Sequence, residues 1–275
     1  MLLTDMKDLY LNYVFVTFSN GTHKCYSSHL NSLYKFLEKN NILYDYEITN
    51  KLLFKYIIEM RNNGVSNSTI NKRFKPLKLM FEYCNIENKC LSALKMLKES
   101  QNHFNSLSSI EFNKLFDYLN SSKLILKNKL IIFLLLETGI RINELLNIKI
   151  KNINFNNNSI YLEKTKTCKS RYVYFKEGTS YLLKQYLNTI SNDLLFNMNY
   201  SAVRSLFDRI KKQLDLNKFH PHMLRHTFAS VLHKNGTSIF ILMTLLGHEN
   251  LKTTERYVHY DNDFIHYTFM NNMNY

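Results

Sequence analysis

The stretch LIIFLLLETGIRINELL, residues 130–146, decides how this chain is read. Its seven consecutive apolar residues, 130–136, are too few to cross a bilayer, which takes about 20. Gly139 is a good stop for the helix they belong to, because glycine takes the left-handed conformation of a C-terminal cap at no steric cost. Arg141 then stands in the first turn of a second, short helix, read here over RINELLNIKIKNINF (141–155).

On the C-terminal side of this corner, SIYLE (159–163) and RYVYF (171–175) are rich in β-branched and aromatic residues. They flank the polar turn KTKTCKS and read as a β-hairpin. Beyond residue 178 the pattern is helical again. On the N-terminal side, SSIEF opens a helix with Ser108 and Glu111 spaced as a capping box. MLKESQNHFNSL (96–107) loses the apolar rhythm and reads as a linker. Before it, apolar residues recur at three- and four-residue intervals through residues 1–95, with Ser66, Ser68 and Thr69 as caps ahead of a helix that contains Pro76. The expected fold is mainly α: a helical domain over 1–95, and a mostly helical domain over 108–275 with a small antiparallel sheet.

Charge narrows the partner. Lys and Arg number 36 against 22 Asp and Glu, a net charge of +14. An excess of that size favours a polyanion, through its field and through counterion release. Lys72, Arg73, Lys75 and Lys78 cluster within seven positions beside Ser and Thr hydroxyls. They suit contacts to a DNA backbone, and an ordinary solvated helix face has the same composition. Cys25, Cys84, Cys90 and Cys168 form no C-x-x-C pair and no zinc spacing, which reads as reduced thiols in a cytoplasmic protein. The N-terminal MLLTDMKDLYLNY lacks the basic start and apolar run of a signal peptide.

The residues that carry chemistry gather in HMLRHTFAS (222–230). Pro221 pre-sets the first turn of a helix running to Gly236. His222, Arg225 and His226 share one face of it near the N-terminus, where free N–H groups already favour an anion. A guanidinium that grips two phosphate oxygens completes a phosphate site. A zinc site on His222 and His226 would lack the activating Glu, and a fixed arginine cation would stand beside the metal.

TGIRINELL, HMLRH, LLGH and TTERY follow one another in this order, with His248 and Tyr257 nine residues apart. On these motifs residues 106–260 resemble the tyrosine recombinase, or phage integrase, family, most closely its compact Xer-type members. The resemblance implies a SAM-like helical core-binding domain and a catalytic domain. It implies catalytic roles for Arg141, His222, Arg225 and His248, with Tyr257 as nucleophile and Glu144 and His226 in support. The family's lysine sits in a GKGxKxR-like hairpin turn, which places it at Lys166. TKTCKSR has no glycine, so Lys164 and Lys169 stay open.

By the same resemblance the function is site-specific DNA recombination through a 3′-phosphotyrosine and a Holliday junction. Two arginines would clamp the phosphate oxygens; His222 and His248 would donate to those oxygens or help take the tyrosine proton. A lysine would protonate the 5′-oxygen. No cofactor and no metal are implied. The partner is double-stranded DNA with short inverted-repeat core sites, bound by a homo-tetramer on two sites, with a second recombinase or an activating protein open and no membrane. The apolar stripe Phe264, Ile265, Phe269 and Met270 in the tail is implied to dock into a neighbouring protomer. A type IB-like topoisomerase and a non-catalytic DNA-binding protein are the alternatives; DNA target and biological outcome stay open.

Overall fold

Along the first ninety residues the apolar stripes become helices. The computed structural model describes residues 1–99, 106–121, 124–164, 169–248, 250 and 253–254. The chain separates into two units, Met1–Asn102 and His103–Tyr275. In the first, α1 (Leu3–Thr17) buries Leu3, Met6, Tyr10 and Val14. It packs on α2 (Asn20–Lys39) and α4 (Asn67–Tyr83), with α3 (Asn50–Asn62) laid against α4. Ser19, Thr49 and Ser66 cap α2, α3 and α4 through their hydroxyls, each accepting from an N–H three residues on. The short α5 (Lys89–Ala93) starts at Asn88, whose Oδ1 accepts from the N–H groups of Cys90 and Leu91.

Pro76 lies inside α4 without ending it. Proline removes the N–H that the Lys72 carbonyl would accept. Asn71 on the same helix holds Leu97 by both its N–H and its carbonyl, at 2.9 Å each, so Leu97–Glu99 lies along α4.

The second unit opens with α6 (Ser109–Asn120), where Ser108 and Glu111 form the capping box. The helix α7 (Leu126–Thr138) is apolar all round, as a helix at the centre of a core must be. It packs on α9 (Glu177–Leu187), on α11 (Pro221–Lys234) and on α8 (Ile142–Leu146). A three-stranded antiparallel sheet follows in the order β1 (Ile153–Asn154), β2 (Ser159–Leu162), β3 (Arg171–Tyr174). Ile160 pairs with Val173 and both face the core, while Tyr161 and Tyr172 point outward. The remaining elements are α10 (Tyr200–Gln213) and α12 (Ile239–Leu246).

The helix read over 141–155 is shorter than its sequence pattern. It stops at Leu146, and a 3-10 turn and β1 take the rest. The alternation in IKIKNINF serves a pairing 45 residues away, where Leu195 N–H donates to Ile148 O and Ile150 N–H to Asp193 O. Among the described residues no helix is long and apolar enough to cross a membrane.

Candidate active site

Two helices end side by side in the second unit, and both end on glycine. Gly139 closes α7 at φ +62° and Gly247 closes α12 at φ +65°. A Cβ at Gly139 would stand 2.3 Å from the Phe228 ring, and one at Gly247 would stand 2.6 Å from the Arg171 guanidinium. The last carbonyls of a helix lack intrahelical partners and carry the negative end of its dipole. Here they face arginines. Buried Arg225, from α11, donates from Nη1 to Gly139 O at 2.7 Å and from Nη2 to Leu246 O at 2.6 Å. Arg171, at the start of β3, donates from Nε to Leu245 O at 2.7 Å. Half-buried Arg141, ahead of α8, reaches Leu246 O at 3.4 Å.

Glu144 supplies the only carboxylate among the described residues that pairs with these arginines. It accepts Arg171 through both oxygens, at 2.7 and 3.0 Å, and takes the Arg141 backbone N–H at 2.8 Å. Burial pushes its carboxyl up, but the Arg171 hydrogen bonds and charge, with the Arg141 N–H and charge, outweigh that and hold it below the usual carboxylate range. Three cations and one anion meet here, so the centre is electropositive.

The surroundings disfavour charge on the histidines around it. His248 follows Gly247, and its Nε2 lies 2.8 Å from Arg225 Nη2. Burial, then the charges of Arg225, Arg141 and Arg171, lower its pKa to about 3 against a weak upward pull from Glu144. Buried His226 is lowered to about 4 by desolvation and then by His222, His220 and Arg225. His222 is also lowered, by desolvation and then by Arg225, His220 and Arg141, which sets it in the field of the same cations. His220 caps α11, its Nδ1 accepting from Met223 N–H at 3.1 Å.

The chain thus brings Arg141, Glu144, His222, Arg225, His226 and His248 together from three separate segments. Tyr257 and Lys166 lie outside the described residues, as does the tail stripe; Lys164 and Lys169 are exposed on either side of the undescribed part of the turn. The four basic residues of α4 do not act as one patch. Lys72 and Lys75 are exposed, Arg73 turns toward Ser32 of α2, and Lys78 donates to Leu94 O at 2.8 Å. The α2 side carries an open polar groove lined by His23, Lys24, Ser27, Asn31 and Lys35 among others. Two residues escaped the sequence reading. Arg171 is the final arginine of the quoted GKGxKxR-like pattern, which was the available signal. Thr254, within TTERY, is fully buried and lies 2.8 Å from His248 Nδ1. Among the described residues no three His, Cys, Asp or Glu side chains are grouped to hold a metal.

Comparison with known proteins gives the family and the fold. The family model described as the phage integrase family matches residues 105–263. Tyrosine recombinase XerA of Saccharolobus solfataricus is 30% identical over 93% of this chain and 88% of its own length. Tyrosine recombinase XerC of Staphylococcus epidermidis is 30% identical over 96% of this chain and 94% of its own. The crystal structure of a lambda integrase dimer bound to a COC′ core site shares the fold, with a TM-score of 0.78 at 18% identity, over 95% of this chain and 80% of that one.

Proposed function

The chain belongs to the phage integrase family, and from that premise we propose that it cuts and rejoins double-stranded DNA at short inverted-repeat core sites. It does so through a covalent 3′-phosphotyrosine on Tyr257 and a Holliday junction, as a homo-tetramer on two sites. The observation that supports this most is the convergence of Arg141, Arg225 and His248 on the ends of α7 and α12. A phosphoryl group under attack gains negative charge, and guanidiniums gathered at one point by the fold stabilise that charge. Lys166, which falls between β2 and β3 in the sequence, protonates the leaving 5′-oxygen. The chemistry needs no cofactor, since cleavage and rejoining exchange one phosphodiester for another. In the first unit, the polar groove of α2 with Arg73, and the exposed Lys72 and Lys75, hold the DNA backbone.

A nicked suicide substrate, followed on a denaturing gel, tests the reading. Wild-type protein should become covalently joined to DNA. Tyr257→Phe should bind the same DNA yet form no adduct, because only the attacking oxygen is lost, and Tyr260→Phe should behave as wild type. Adduct formation by Tyr257→Phe, or its loss in Tyr260→Phe, moves the nucleophile; no adduct from wild type on its own genomic site removes the recombinase reading.

A further inference from the structure

An arginine side chain has only donors to offer. The 2.8 Å contact from Arg225 Nη2 therefore makes Nε2 of His248 an acceptor. A neutral imidazole with a bare Nε2 carries its proton on Nδ1, and that atom lies 2.8 Å from Thr254 Oγ1. The threonine hydroxyl receives it. Thr254 has no exposed surface, so this hydrogen bond lies inside the protein, where removing one partner is costly. Thr254 also stands three residues before Tyr257, in the turn that Thr253 N–H closes on Asn250 O at 3.0 Å.

We infer that Thr254 is a positioning residue for strand cleavage: its hydroxyl fixes His248 in the Nδ1–H tautomer and ties the segment leading to Tyr257 to the Arg225–His248 pair. The inference rests on the recombinase reading of the site. Of the two roles open to His248, donor to the phosphate oxygens or acceptor for the Tyr257 hydroxyl, this tautomer works against the first, since Arg225 Nη2 engages the bare Nε2. The nitrogen turned toward the arginines carries a lone pair and no proton. The neutral state that this needs is the one the surrounding burial and cations favour.

Two substitutions separate the hydroxyl from the bulk of the side chain. Thr254→Val keeps the shape and removes the hydroxyl; Thr254→Ser keeps the hydroxyl and removes the methyl. On the suicide substrate Thr254→Val should cleave roughly tenfold more slowly with DNA affinity unchanged, the loss of one buried hydrogen bond, and Thr254→Ser should stay close to wild type. Ring-15N spectra of the histidine-labelled protein, with His248 identified through His248→Gln, should show a protonated Nδ1 and a bare Nε2. That single-tautomer signature should persist in Thr254→Ser and be lost in Thr254→Val. The opposite ranking, with Val active and Ser impaired, would mean that Thr254 only fills space, and it overturns the inference, as does a wild-type ring with its proton on Nε2. The spectra are taken without DNA, so they decide the tautomer by themselves; a wild-type protein that never joins DNA overturns the recombinase reading instead.

Discussion

A buried imidazole in the field of a guanidinium costs least when it is neutral, and the site holds two such rings. His248 and His226 have pKa values lowered to about 3 and about 4, whereas in the unfolded chain both return to about 6.5. Between those values the unfolded state binds protons that the native state refuses, so stability rises with pH across the window and is lost as pH falls below about 6.5. Each ring contributes about 1.4 kcal/mol per pH unit. Urea unfolding at pH 7 and pH 5 should differ by roughly 4 kcal/mol from these two rings, with the difference reduced in His226→Gln. An unchanged difference in that variant would show that the ring is not held neutral by the fold. Arg225, His226 and His248 were legible because short motifs carry them. Thr254 was not, because what a buried hydroxyl does depends on which ring meets it in space.

At the scale of the element, one ion pair fastens three pieces of chain. Glu144 on α8 accepts both nitrogens of Arg171 on β3, and the same guanidinium holds Leu245 O at the end of α12. Both partners of the pair are almost fully buried, at 4% and 3% side-chain exposure, so removing one strands a charge in the interior. Arg171→Met should destabilise the protein by about 3–5 kcal/mol. Adding Glu144→Leu should recover part of that loss, because the orphaned carboxylate goes with it. A double-mutant cycle by urea denaturation measures the coupling, and additive losses would count against it. The sequence spelled out the stop at Gly139 and the hairpin. It over-extended the helix after Arg141, because alternating isoleucines satisfied by a pairing with residues 193–195 look the same locally as a helix end. The meeting of Arg171 with Leu245, 74 residues apart, leaves no mark on spacing at all.

Over the whole molecule, the sequence separates two sets of helices because each set has its own apolar core. That much follows from periodicity, since α1 to α4 each carry a buried stripe at three- and four-residue spacing. Assembly does not follow in the same way: the tail stripe of Phe264, Ile265, Phe269 and Met270 falls outside the described residues, and a stripe does not name its partner. If the tail links protomers, truncation after Asp263 should leave binding to a single DNA site within about twofold while abolishing two-site complexes and recombinant product. Gel shift with one and two sites, beside a recombination assay, decides it; normal synapsis by the truncated protein would return the tail to its own domain.

The carbonyls that end α7 and α12 have a consequence for traffic in the cell. In the language of ion exchange, Arg225 arrives with ligands already attached, since Gly139 O and Leu246 O are tethered to the protein at 2.7 and 2.6 Å. A dissolved phosphate has to compete with ligands whose effective molarity is set by the fold. A phosphate within DNA competes on better terms, because the rest of the duplex is held by many other contacts and presents it as an intramolecular ligand. On the proposed recombinase function, such a centre would disfavour free phosphate and nucleotides and favour the backbone of a bound duplex.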